Sequence, residues 1–183
     1  MSDVRVKGLA ELQRFLDQLP AKLEANVMRG ALRAGVQPIK AAAVSACPVG
    51  PPSASGAKKY GLYAGALRDS IRISSRRKLG QVSAAVKVGG KRKGVNVWYA
   101  HLVEFTGARQ HAIKGRLFGS LFIGGAFVNA VDHPGMRPRP FLRPALDAQA
   151  QSAVVAAGEY IKTRLATREG LDTADIVIEE EEA

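Results

Sequence analysis

Apolar residues at Leu9, Leu12, Phe15, Leu16 and Leu19 recur every three or four positions, which predicts an amphipathic helix that Pro20 interrupts. A second stripe, Leu23, Val27, Ala31, Ala34 and Ile39, continues at the same period with Lys22, Arg29 and Arg33 off it. Pro38 is expected to kink this helix and Pro48 to end it. The alanines between Ala41 and Ala46 suit close helix packing. A third helical pattern comes last, from about Pro144 to Thr167. Its inner stripe is Leu146, Ala150, Ala153, Ala157, Ile161 and Leu165, and Gly170 is the expected stop.

The middle of the chain reads differently. Pro, Gly, Ser and Ala dominate residues 48–66, the composition of a long exposed loop. Then the period drops to two: Leu67 to Ile73, Val82 to Val88 and Val95 to Tyr99 alternate and predict an antiparallel meander. Its two connections, Arg76-Arg77-Lys78-Leu79-Gly80 and Gly89-Gly90-Lys91-Arg92-Lys93-Gly94, are basic and fall at opposite ends of the middle strand, roughly 20 Å apart at about 3.3 Å per residue. Residues 116–132 contain two apolar segments around Gly124-Gly125, a projecting hairpin. Phe118, Phe122 and Phe127 on it require burial against the core or a neighbouring subunit. The expected fold is α+β: an antiparallel sheet packed against N-terminal and C-terminal helices, one domain over residues 1–170, then an acidic tail over 171–183.

Charge sharpens this picture. The formal net charge is +11, but Asp172, Asp175 and Glu179 to Glu182 lie in a final segment with no Lys or Arg. Without that segment 27 basic residues face 10 acidic ones, a balance of +17 over residues 1–170. A basic body with an acidic terminal run calls for a partner rich in phosphate or carboxylate, with the tail solvated or folded back as a competitor. Arg76, Arg77, Lys78, Lys91, Arg92 and Lys93 are the candidate contacts to DNA or to an acidic neighbour; as solvated turns they would serve only to discourage edge pairing. No apolar run approaches the length of a spanning helix, so no membrane is expected. The single cysteine, Cys47, permits no intramolecular disulfide and reads as a buried packing residue.

Catalytic constellations are scarce, and no enzyme and no cofactor is expected. His101, His111 and His133 have no carboxylate at zinc-ligand spacing, and no nucleophile elbow or phosphate loop is present. His101 and Glu104 could meet on a helical turn as an acid-base pair. The structural alternative is that Glu104 pairs with an arginine of the run from His133 to Leu146, which holds four prolines and Arg137, Arg139 and Arg143 around Phe141. Proline keeps such a run extended, and arginine beside one large aromatic suits docking rather than proton transfer.

Two motifs carry a resemblance: Tyr99-Ala100 leading to Val103-Glu104-Phe105-Thr106-Gly107, then His133-Pro134-Gly135 with Arg139-Pro140-Phe141-Leu142-Arg143-Pro144-Ala145-Leu146 before a final helix. With the N-terminal helical pair and the meander, this order resembles the tail-component family of long-tailed bacteriophages, whose members are called tail-completion, head-to-tail joining or minor tail proteins. The resemblance spans residues 8–167. It implies a non-enzymatic virion structural protein of the neck, made in the host cytoplasm, that joins the tail to the DNA-filled head through ring assembly. The implied partners are further copies of itself in a cyclic ring, a hexamer by the usual symmetry of tail tubes, together with neighbouring neck, tail-tube or tail-terminator proteins and DNA bound non-specifically in a channel. Glu104, Phe105, Phe118, Phe122, Phe127, Arg137, Arg139, Phe141, Leu142 and Arg143 are the expected subunit or partner contacts. The compact Pro-x-x-Thr-Gly-x-Leu turn common in the family is replaced here by Pro48-Val49-Gly50 and the long loop. The alternative from charge alone is a basic, sequence-independent DNA-binding module.

Overall fold

Alanine, leucine, methionine, lysine, arginine, glutamate and glutamine fill most positions between Ala21 and Ala46, and these strong helix formers build one 26-residue helix, α2 (Ala21–Ala46). Pro38 is contained within it, and the helix stops ahead of Pro48, which disfavours helical geometry at Cys47. The computed structural model describes residues 9–17, 21–51, 54–107, 109–114, 121–123, 126–168 and 178. They belong to two compact units, Met1–Val97 with Phe141–Ala183, and Trp98–Pro140.

In the first unit α2 pairs with α5 (Leu142–Arg168) through small residues. A Cβ on Gly30 would overlap the Tyr160 ring, and one on Gly35 would lie 2.7 Å from the Ala153 carbonyl oxygen and 3.2 Å from the Ala157 Cβ. Near this contact Leu16 of α1 (Leu9–Asp17), Val27, Ala31, Ile161, Leu165 and Ile178 form a buried cluster bordered by Met28, Val155, Ala157 and Tyr160. Ile178 therefore ties the C-terminal segment to the helical core. The other tail residues, including Asp172, Asp175 and Glu179 to Glu182, lie outside the described residues, as do Leu19, Pro20 and the expected stop at Gly170.

The inner stripe of α5 needs one correction. Ile161 and Leu165 are buried, but Leu146 is 50% exposed, and Phe141 and Ala145 bury the head of the helix instead. At 3.6 residues per turn Leu146 sits about 100° around the helix from Leu165, on its flank. A 27-residue helix passes more than one neighbour, so one stripe does not hold over its whole length.

The expected loop over 48–66 is also more ordered than composition suggests. It contains α3 (Ala54–Tyr60), closed by Gly61 N–H to the Ala57 carbonyl at 3.0 Å and Leu62 N–H to the Gly56 carbonyl at 3.5 Å. The segment from Leu67, expected as strand, begins as one helical turn, α4 (Ala66–Asp69), because the Ser70 hydroxyl donates to the Leu67 carbonyl at 2.7 Å and its N–H to the Ala66 carbonyl at 3.1 Å.

Strands then pair antiparallel: β1 (Arg72–Lys78) with β2 (Gln81–Lys87), and β3 (Gly90–Arg92) with β4 (Val95–Val97). The alternation in β2 holds, with Val82, Ala84 and Val86 half-buried and Gln81, Ser83, Ala85 and Lys87 exposed. Leu79-Gly80 and Lys93-Gly94 make two-residue turns with positive φ at both positions. The meander is thus divided into two hairpins, because Gly89 and Gly90, at φ 78° and 85°, turn the chain between β2 and β3. Helix α2 packs along β1 and β2, so N-terminal and C-terminal helices flank an open antiparallel sheet, the expected α+β class.

Cys47 is buried beyond the end of α2, and burial pushes its thiol up to about 11, with Arg68 lowering and Asp69 raising it to lesser degrees. Neutral thiol is favoured in the folded state, so its contribution to stability is whole below the ordinary value of 9.0 and is lost as pH rises through about 11. Alkylation of the native chain at pH 8 should be about hundredfold slower than alkylation of the urea-unfolded chain, measured by mass shift against time. Equal rates would show an accessible, ordinary thiol.

The second unit holds a wide turn over Leu102–Thr106 and a hairpin. The strands β5 (His111–Lys114) and β8 (Ala130–His133) pair antiparallel, as do β6 (Leu121–Ile123) and β7 (Ala126–Val128). Strands β6 and β7 pair across the predicted turn, and His111–Lys114, ahead of the expected start at 116, pairs with Ala130–His133. Gly124-Gly125 itself lies outside the described residues, between the paired Ile123 and Ala126.

Candidate assembly interface

Tyr99 begins the first motif by accepting hydrogen bonds on its carbonyl from the N–H groups of Leu102 and Val103, at 2.9 and 3.2 Å. The next turn is wider than an α-turn: Gly107 N–H donates five residues back to the Leu102 carbonyl at 2.6 Å. The inserted residue changes the side-chain phase. Val103 and Glu104 are both buried while Phe105 is exposed. Glu104, at 4% exposure, is the buried charged residue among those described, and it is partnered within the chain. His101 is exposed, and its Nδ1 donates to the Trp98 carbonyl at 2.9 Å.

The second motif packs on the first through the backbone. Arg139 N–H donates to the Val103 carbonyl at 2.7 Å, between the residues flanking Glu104 and those carrying the arginines. Gly107 holds φ +62° and ψ −158°, and a Cβ there would overlap the Met136 carbonyl oxygen and lie 3.0 Å from Pro138 Cδ. Two segments, Val103 to Gly107 and Met136 to Arg139, are thus joined by a main-chain bond and a glycine contact. Arg137 and Arg139 are exposed on this run. Past its end Arg143 is exposed and Leu142 half-buried, but Phe141 is 1% exposed. As an anchor it therefore serves its own chain, a large apolar side chain buried at the head of α5.

On the hairpin, Phe122 and Phe127 face each other across β6 and β7 with ring centroids 5.0 Å apart, yet they are 65% and 76% exposed. Phe118 lies outside the described residues. At the base of the hairpin His111 and His133 pair with centroids 5.1 Å apart. His111 Nδ1 donates to the Arg109 carbonyl at 2.9 Å and His133 Nδ1 accepts from Gly135 N–H at 3.0 Å.

The basic residues belong to the first unit. Arg76, Arg77 and Lys78 lie on β1 rather than in the turn, opposite Ser83, Val82 and Gln81. Alternation puts Arg76 and Lys78 on one face with Arg72, and Arg77 on the other, beside Val82. Lys91 and Arg92 are on β3 and Lys93 is in its turn, all exposed. Arg72, placed on the same face as Arg76 and Lys78 by the period of two, is a further basic residue of this surface. Its Nη1 donates to the Gly89 carbonyl at 2.9 Å and the Ser70 carbonyl at 3.2 Å, while Gly89 N–H donates to Ser70 Oγ at 2.9 Å. These bonds close one wall of a cleft of about 280 Å³ that Tyr63, Asp69, Arg92, Lys93, Val95 and Val97 also line.

Among the described residues no group of three His, Cys, Asp or Glu side chains could hold a metal ion, and no helix is long and apolar enough to cross a membrane. No curated protein and no solved structure matches the chain. One family model does, HK97-gp10_like, described as "Bacteriophage HK97-gp10, putative tail-component", over residues 10–105. That match runs from α1 through Phe105, just over half of the 183 residues, and stops before the hairpin and the proline-arginine run. The chain belongs to the HK97-gp10-like family of bacteriophage tail components.

Proposed function

We propose that this tail component acts at the neck of the virion, completing the tail and joining it to the DNA-filled head through a cyclic ring of identical subunits, a hexamer. The observation that carries the reading is the Phe122–Phe127 pair, two large aromatics held side by side with most of their surface in water. An aromatic pair in that state gains most by docking on a partner. Head-to-tail contacts of one surface on another close into rings when the rotation allows. The exposed Arg137, Arg139 and Arg143 would meet carboxylates of a neighbouring copy or of the next ring, and Glu104 would hold the proline-arginine run in place through one arginine. The basic face of β1 suits DNA passing through a channel, by phosphate attraction independent of sequence. Family membership supports a structural role over the alternative of a free DNA-binding module.

Electron microscopy of the virion, with the chain labelled, tests this directly: density at the top of the tail with cyclic symmetry is the expected result, and absence from the particle overturns it. In the same phage, Phe122→Ser with Phe127→Ser should leave the purified chain folded but lower the yield of joined particles by orders of magnitude, with separate heads and tails accumulating.

A further inference from the structure

The cleft of about 280 Å³ on the first unit is used by nothing described so far. Its lining is unbalanced: Arg72, Arg92 and Lys93 against one carboxylate, Asp69. That carboxylate is already engaged, accepting from the Tyr63 hydroxyl at 3.0 Å and sitting 3.6 Å from Arg68 Nε. Arg92 and Lys93 are exposed at its mouth, and Val95 and Val97 give it an apolar floor. A concavity of this size takes a short run of side chains rather than a duplex, which needs a longer surface to follow successive phosphates.

The chain carries a segment of complementary chemistry, Glu179-Glu180-Glu181-Glu182, directly after Ile178. Ile178 is fixed in the core beside Val27 and Ala31, in the first half of α2. The cleft lies near the other end, where Arg68 and Asp69 act on Cys47. At about 1.5 Å per residue Val27 and Cys47 are about 30 Å apart along the helix, whereas four extended residues beyond Ile178 span about 14 Å. The backbone of the four glutamates alone does not cover that distance.

We propose that Glu179 to Glu182 of one subunit dock in the Arg72–Arg92–Lys93 cleft of the next copy of the chain. The contact rests on the ring reading above and specifies it. It is heterologous, joining the helical end of one subunit to the sheet end of its neighbour, so it repeats around a ring.

The test uses full chains. The receptor carries Glu179→Gln, Glu180→Gln, Glu181→Gln and Glu182→Gln, and the probe is a fluorescent peptide of residues 176–183, followed by anisotropy. Binding is expected at low salt, about tenfold weaker once Arg92→Glu and Lys93→Glu are added, and largely lost near 1 M salt. Arg109→Glu with Lys114→Glu, the same change of charge in the other unit, should leave it intact. Circular dichroism checks that each receptor is folded. No binding, or equal loss with both charge-reversed pairs, overturns the proposal as general attraction to a basic body. Tighter binding of duplex DNA at the same two residues overturns it in favour of nucleic acid. The ring reading is judged separately: if the wild-type chain forms rings and the four-glutamine chain forms them equally well, the docking proposal fails and the ring stands. If virions contain no ring of this chain, the ring fails whatever the peptide does.

Discussion

Phe141→Ala is expected to destabilise the chain by about 3–5 kcal/mol, the range for removing a fully buried aromatic. Phe141 is among the largest fully buried side chains, at 1% exposure, and immediately precedes α5. Truncation would remove most of its apolar surface and leave a cavity where the proline-arginine run turns into helix. For a chain of this size the loss corresponds to a fall in melting temperature of about 10 °C, read by calorimetry. Phe141→Leu, which keeps part of the volume, should recover more than half of it. If Phe141→Ala melted within a degree or two of wild type, the intramolecular anchor assigned to this residue would be wrong.

The second large effect is expected at Gly107. Gly107→Val puts a β-branched side chain at φ +62° and ψ −158°, a region essentially restricted to glycine, at a cost of about 1–3 kcal/mol before any contact is counted. The contact is worse, because the atom in the way is the Met136 carbonyl oxygen, which cannot rotate aside as a side-chain tip would. The turn and the Met136–Pro138 strip must separate, and the bond from Arg139 N–H to the Val103 carbonyl is lost with them. Limited proteolysis should cut the variant within residues 98–140 under conditions where wild type stays whole, while the far-ultraviolet helical signal of α2 and α5 remains. Protection equal to wild type would mean that the two motifs do not depend on this glycine.

What could be read from the sequence was whatever depends on short-range rules. The apolar period ahead of Pro48 delimits α2, the alternation from Val82 to Val86 orients β2, and Gly124-Gly125 marks a hairpin whose flanking residues do pair. Exposure set by distant neighbours was not legible. Leu146 fits the stripe of α5 yet stays in water, and nothing local distinguishes Phe141 as a core residue from Phe141 as a docking residue. The wide turn defeated the helical phase used for His101 and Glu104, since one extra residue moves Glu104 inward and Phe105 outward. The two glycines at 89 and 90 looked like part of a basic connection, but their positive φ values divide the meander. The cleft has no local signature in the sequence. Its walls come from α4, β1, β3 and β4, and only Arg92 and Lys93 stood out as charged neighbours in sequence.

The first unit is built from both sides of the second: residues up to Val97 and residues from Phe141 onward share one core, with 98–140 threaded between them. Synthesis runs from the N-terminus, so α2 leaves the ribosome with its glycine-rich contact face and Val27 and Ala31 uncovered. It stays so until α5, more than a hundred residues later, is made. The intervening hairpin and proline run must form or wait as a closed excursion, and the helical core forms only once α5 has been made. A product cut short of α5 never acquires the helix pair.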